Sequence, residues 1–206
     1  MDTTQLLALS AALGWASGLR LYAVLFLTGL AGLAGWVDLP SGLKLLQNPL
    51  MLGASGLMLA VEFFADKIPG VDTLWDVLHT FIRIPAGAAL AAAVFGGESG
   101  TWATMAGLLG GSLAATAHAA KATTRAAANT SPEPFSNIGL SLLGDAAVPG
   151  MLWLAWSHPL WFFVALALAL VLMVTLLVVL FKFLRVLVRR LSGKATAAAS
   201  SASLRV

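Results

Sequence analysis

Between residues 6 and 190 the sequence is a succession of apolar blocks, most of them close to the length of a bilayer crossing. They cover 6–36, 49–65, 71–95, 101–120, 137–157 and 159–190, separated by short polar or Pro/Gly-rich breaks. A hydrocarbon core of about 30 Å takes about 20 apolar residues in a helix. Lipid offers no water to unpaired peptide groups, so such segments fold as helices. Composition agrees: 59% of residues are hydrophobic and 10% charged, against about 25% charged in a soluble domain. The expectation is an all-α integral membrane protein with about six transmembrane helices. It forms one domain over 1–190, and an Ala- and Ser-rich cytoplasmic tail, 191–206, is expected to be disordered. Block 6–36 is too long for a perpendicular span and must tilt, protrude or break near Gly14 or Gly18.

The chain has no cysteine, which excludes disulfides, thiolate metal sites and cysteine nucleophiles. Its basic residues choose an orientation. With six crossings, Lys67, Arg83, Lys121, Arg125, Lys182, Arg185, Arg189, Arg190, Lys194 and Arg205 share one side, and the other keeps Lys44 alone. Lys and Arg are retained in the cytoplasm, so both termini are expected inside. The basic surplus flanks a membrane and does not point to nucleic acid. The cluster Lys182, Arg185, Arg189 and Arg190 anchors the last span and could attract anionic lipids. Tryptophans, Trp15 among them, are expected mostly at span ends. The glycine series, including Gly14 and Gly18, reads as close helix packing.

Two segments resemble each other. Asp66 is followed by Pro69-Gly70 and, 13 residues on, by His79; Asp145 is followed by Pro149-Gly150 and, 13 residues on, by His158. Halves of three spans each, 1–97 and 98–190, would insert in opposite senses. Such inverted repeats build small secondary transporters with a site at broken helices.

Charges inside a membrane are costly and face protein or water. On a helix from Val71, Asp72, Asp76, His79 and Arg83 share one narrow stripe. Two carboxylates and an imidazole there could relay protons or hold a divalent cation; the bland alternative is an interfacial helix with a solvated polar face. His118, Lys121 and Arg125 form a second stripe, suited to an anion or lipid headgroup or to neutralising the first. Arg20, alone in the first block, needs a counter-charge; Glu62, Asp66 and Asp145 are the candidates.

The run Glu62–Gly87, with Gly18-Leu19-Arg20-Leu21-Tyr22 and the Asp145 region, resembles the signature of a bacterial membrane family catalogued as domain of unknown function 4126. The resemblance implies a bacterial inner-membrane protein and brings no activity with it. Three functions remain on the residues alone. The first is a small ion-coupled transporter, with Glu62, Asp66, Asp72, Asp76, His79 and Asp145 as its ion or proton site and Arg20 and Arg83 as counter-charges. The second is a lipid-handling protein that binds anionic headgroups through Arg20, His118, Lys121 and Arg125. The third is a non-transporting membrane scaffold or assembly factor, its charges holding helices together; under all three the expected partners are the bilayer and, in a homo-oligomer, a second copy of the chain. No nucleophile–base pair or nucleotide loop points to an enzyme, and no cofactor is called for beyond that divalent cation.

Overall fold

A computed structural model describes residues 1–68, 70–97, 100–130 and 135–203, with side chains described as far as residue 186. Every element is helical, and no strand occurs among the described residues. The order is α1 (Thr3–Leu33), a 3-10 helix (Ser41–Gln47), α2 (Pro49–Ala65), α3 (Val71–Ala93), α4 (Gly100–Ala128), α5 (Phe135–Ser157) and α6 (Pro159–Ser203). Local signals set several boundaries. Asp2 and Gln5 form a reciprocal capping box on α1, and Asn48 caps α2 ahead of Pro49. Gly70 turns the chain into α3 at φ +88°, a conformation that favours glycine.

Among the described residues three helices are long and apolar enough to cross a membrane: α1, α5 and the Pro159–Val186 part of α6. The 3-10 helix and α2 together make a fourth candidate, bent by 70°. α3 is interrupted by Asp72, Asp76 and Arg83, and α4 is diluted by Gly, Ser and Thr. α6 continues as helix through most of the segment expected to be a disordered tail. Alanine, abundant there, is the best helix former.

The first apolar block does break, at Arg20 and not at a glycine. Arg20 has non-helical dihedrals (φ −148°, ψ 82°) between two helical arms, 3–19 and 21–33. A straight helix of 31 residues would part its ends by about 46 Å. Instead Met1 and Leu6 line one cavity with Asp38, Leu39, Pro40, Ser41, Lys44, Val94 and Gly97. α1 is therefore a hairpin with Arg20 at its tip. The first arm runs antiparallel to α3, with Ser10 Oγ donating to the Ala91 carbonyl (3.1 Å) and Gly87 against Ser17. It runs parallel to α4, with Gly14 on Gly110 and Gly18 on Ala114. The second arm lies on α2, with Phe26 against Gly56. Gly14 and Gly18 are where backbones meet, which is why the chain does not bend there.

The reversal adds a leg, so α1 begins at one end of the bundle and α6 runs toward the other, whereas six alternating spans would bring both to one side. Residues 1–6, 38–44 and 94–97 mark one end. Arg20, Asp66, Asp76 and Arg125, joined by ion pairs, mark the other. α6 passes Trp15 at Met173 and reaches the Arg125 level at Leu176 on its way to that second end. α1 contacts all the other helices and gives more of the core than any other element: Ala8, Leu9, Ala12, Leu13, Ala16, Leu21 and Val24 are essentially inaccessible.

Candidate functional site

The second end of the bundle holds a continuous network of buried charge. Its order is set by backbone positions: Arg20 at the hairpin tip, Glu62 in the last turn of α2, Asp66 just past it, Asp76 and Arg83 on α3, Lys121 and Arg125 on α4, and Asp145 on α5. Arg20 lies 3.1 Å from Asp66 and 2.9 Å from Asp145. Asp66 also meets Lys121 (3.0 Å) and Arg125 (2.8 Å). The same two cations reach Asp76, at 3.2 Å and 3.1 Å. Asp76 takes Arg83 (2.7 Å), and Arg83 closes on Glu62 (2.6 Å). Lys67 pairs with Asp145 (3.1 Å) and sits over the Phe63 ring.

Signs thus alternate along a chain that ties five helices together. Side chains of Glu62, Asp66, Asp76, Arg20, Arg83 and Arg125 are at most 4% exposed; Asp145 and Lys67, at 21% and 20%, form its one accessible edge. Unpaired, any buried charge here would cost several kcal/mol, roughly; every charge of the network has at least two polar partners except Glu62, which has Arg83 alone and a buried Oε2 without a hydrogen bond.

The sequence stripes come apart and recombine in this network. Arg20 finds Asp66 and Asp145 as anticipated, but Glu62 goes to Arg83. The stripe on α3 faces inward while Leu74, Val77, Leu78, Phe81 and Ile82 on its other face are exposed. That arrangement is the reverse of a water-soluble or interfacial helix and overturns the solvated-face alternative. Asp72, Asp76 and His79 do not converge on a cation. Asp72 Oδ1 accepts from the Gly70 and Thr73 backbone N–H groups (2.8 and 2.7 Å), Asp76 is taken by three cations, and His79 is held by the Trp75 carbonyl (2.8 Å) and the Tyr22 hydroxyl (3.1 Å). Among the described residues no group of three His, Cys, Asp or Glu is arranged to hold a metal ion. His118 leaves the other basic residues for Thr80 (2.7 Å) and Arg83 (3.4 Å).

Asp66 and Asp145 also differ in setting. Asp66 caps α2 before a true break, whereas Asp145 lies inside an uninterrupted α5 that absorbs Pro149. Proline at 149 only removes the hydrogen bond to the carbonyl four residues back, that of Asp145. Sequence reasoning gave no role to Ser141, whose hydroxyl and carbonyl oxygens both accept from Arg20 Nη2 (2.8 and 3.0 Å). Lys67 counted only for orientation, although its place beside Asp66 was a usable signal.

One face of the network opens into a cavity of about 170 Å³. It lies between the first arm of α1 and helices α4, α5 and α6. Its polar end is Arg20, Asp66, Lys121, Thr124, Arg125 and Ser141; its walls are apolar, including Trp15, Leu143, Ala147, Ala169 and Met173. Trp15 is buried here, donating from Nε1 to the Met173 sulfur (3.4 Å), and is not an interfacial residue.

A family model described as Domain of unknown function (DUF4126) matches residues 7–179. The chain belongs to that family. The match takes in all of the charged network, from Arg20 to Asp145, and both helical walls of the cavity. No curated protein and no solved structure matches the chain.

Proposed function

We propose that this DUF4126 protein binds an anionic amphiphile within the membrane, as a lipid-handling protein. One observation carries the reading: a cavity whose deep end presents Arg20, Lys121 and Arg125 against a single carboxylate, Asp66, and whose walls are hydrocarbon. A ligand with a carboxylate or phosphate head and an acyl chain matches both ends, since guanidinium and ammonium groups prefer such anions. Five cations of the network, Arg20, Lys67, Arg83, Lys121 and Arg125, face four directly paired carboxylates, Glu62, Asp66, Asp76 and Asp145. In the bilayer, the helices cross with the charged end toward the cytoplasm, where Lys and Arg accumulate. The α1 hairpin then enters from the opposite face and turns at Arg20, in a bacterial inner membrane.

The test is thermal unfolding of the detergent-purified protein with oleate, phosphatidylglycerol or phosphatidylcholine, alongside Ala147→Phe and Ala169→Phe. A ligand that binds only the folded state stabilises it by about 2.7 kcal/mol at 100 times its dissociation constant. An upward shift with an anionic amphiphile that the cavity-filling variants lose supports the reading. Equal shifts with phosphatidylcholine, or shifts retained by both variants, refute it.

An ion-coupled exchanger is the second reading, and the hairpin tip favours it. Arg20, at the sole non-helical position of α1, is shared by two carboxylates, an arrangement in which a charge changes partner.

A further inference from the structure

Arg20 is 1% exposed, and its guanidinium is over-supplied with neighbours yet under-supplied with hydrogen bonds. Nη2 is satisfied by both oxygens of Ser141. Nε and Nη1 lie within 2.9 Å of Asp145 and 3.1 Å of Asp66, but neither makes a hydrogen bond. The carboxylates are near and off-axis. Two buried N–H donors beside a cavity are thus ion-paired without an in-line acceptor, a geometry that a headgroup oxygen entering from the cavity would improve.

The two carboxylates are not equally free to yield. Asp66 is fully buried and fixed by Lys121 and Arg125 as well as Arg20. Asp145 has one other partner, Lys67, on the same accessible edge of the network. Leaving Arg20 would cost Asp145 a single off-axis contact and keep its ion pair with Lys67. Building up Gly144, the neighbour of Asp145, would place a carbon 3.6 Å from Arg20 Nε; the cavity reaches this side of the guanidinium through Gly144 and Ser141.

We infer that Asp145 is a resident counter-ion which the ligand headgroup displaces from Arg20, so that the site takes a monoanionic head, carboxylate or phosphodiester, on an acyl chain. This rests on the amphiphile reading above and adds the exchange step and the charge of the ligand. Asp145 is thus a specificity-determining residue: its carboxylate excludes neutral and zwitterionic amphiphiles, which cannot compete for Arg20, and taxes the binding of anionic ones.

Asp145→Asn removes the competing charge and keeps the side-chain shape. Binding of oleate, phosphatidylglycerol and phosphatidylcholine to wild type, Asp145→Asn and Ala147→Phe is measured by native mass spectrometry, with unfolding midpoints to confirm folding. Asp145→Asn should bind the preferred anionic amphiphile roughly tenfold more tightly than wild type. Preference for oleate identifies a free fatty-acid type of ligand, and preference for phosphatidylglycerol a phospholipid. If wild type binds an anionic amphiphile and Asp145→Asn binds it equally or more weakly, the displacement is overturned while the cavity reading stands. If wild type binds none of the three, or Ala147→Phe binds as well as wild type, the cavity reading itself fails.

Discussion

Asp66 and Asp145 look equivalent in the sequence, each an acid shortly before Pro-Gly, yet the network makes them unequal by a margin that unfolding can measure. Asp66→Asn removes the charge that holds Arg20, Lys121 and Arg125 together, at 3.1, 3.0 and 2.8 Å and 0% side-chain exposure. Breaking a buried pair by removing one partner costs about 3–5 kcal/mol, because the other charge stays buried. Here three cations lose a shared partner, so that figure is a lower bound. At about 2–4 °C per kcal/mol for a chain of this size, the midpoint should fall by roughly 6–20 °C. Asp145→Asn touches a pair with 21% exposure and leaves Arg20 with Asp66 and Ser141. Asp145 itself is partly exposed and Arg20 keeps its other partners, so the loss should stay near the about 1 kcal/mol of accessible pairs and the midpoint should move by about 4 °C or less. Both are read by tryptophan fluorescence during heating in one detergent without added lipid. Equal losses, or a larger loss for Asp145→Asn, would refute the hub assigned to Asp66 and return the two acids to symmetry.

Close helix packing makes a second, paired prediction. A Cβ added at Gly14 would sit 2.5 Å from Gly110 Cα and 2.8 Å from its carbonyl oxygen, with no flexible side chain to yield; Gly14→Ala should cost about 1–3 kcal/mol. Gly53, with open space around it, is the control: Gly53→Ala should be neutral or stabilising by up to about 1 kcal/mol. Similar losses at both positions would overturn the contact between α1 and α4. The absence of cysteine allows a clean topology test in intact cells. A membrane-impermeant maleimide should label Thr3→Cys and Ser41→Cys but not Thr130→Cys; labelling of Thr130→Cys together with protection of Thr3→Cys would invert the orientation.

What was legible in the sequence was the chemistry of the chain, and what was not was its path. Apolar blocks gave the helices because period and length are local properties. The need of Arg20 for a carboxylate was also readable, because an unpaired charge in lipid is too costly to persist. Which acid it chose was hidden, since Glu62 and Asp66 stand one turn apart and only the placement of α3 and α4 sends one to Arg83 and the other to Arg20. The hairpin was hidden for a different reason. Nothing in Leu19-Arg20-Leu21 breaks a helix by propensity, so the reversal is a tertiary effect. The matched Pro-Gly pairs misled for the converse reason: a proline ends a helix only where the chain has somewhere else to go, and α5 at Pro149 does not.

The hairpin and the charge network account for each other. Ending the first arm of α1 in the bundle interior exposes carbonyl groups that water would otherwise satisfy. Lys121 meets that need, donating to the Leu19 carbonyl (3.0 Å) while bridging Asp66 and Asp76, a cation where a helix C-terminus favours one. Lys121 in turn is tolerable inside the protein only with those carboxylates, and they need Arg20, Arg83 and Arg125. Remove the reversal and Arg20 has no reason to sit at the polar end of a cavity; remove the network and the tip has no cap. A purely structural cluster would be free to close its apolar flank with side chains. Here α5 and α6 line the cavity with Gly144, Ala147 and Ala169 alongside Leu140, Leu143, Leu172, Met173 and Leu176, so the space beside Arg20 is left by three small residues set among large ones. The binding reading proposed above requires that space; a ladder of buried ion pairs alone does not.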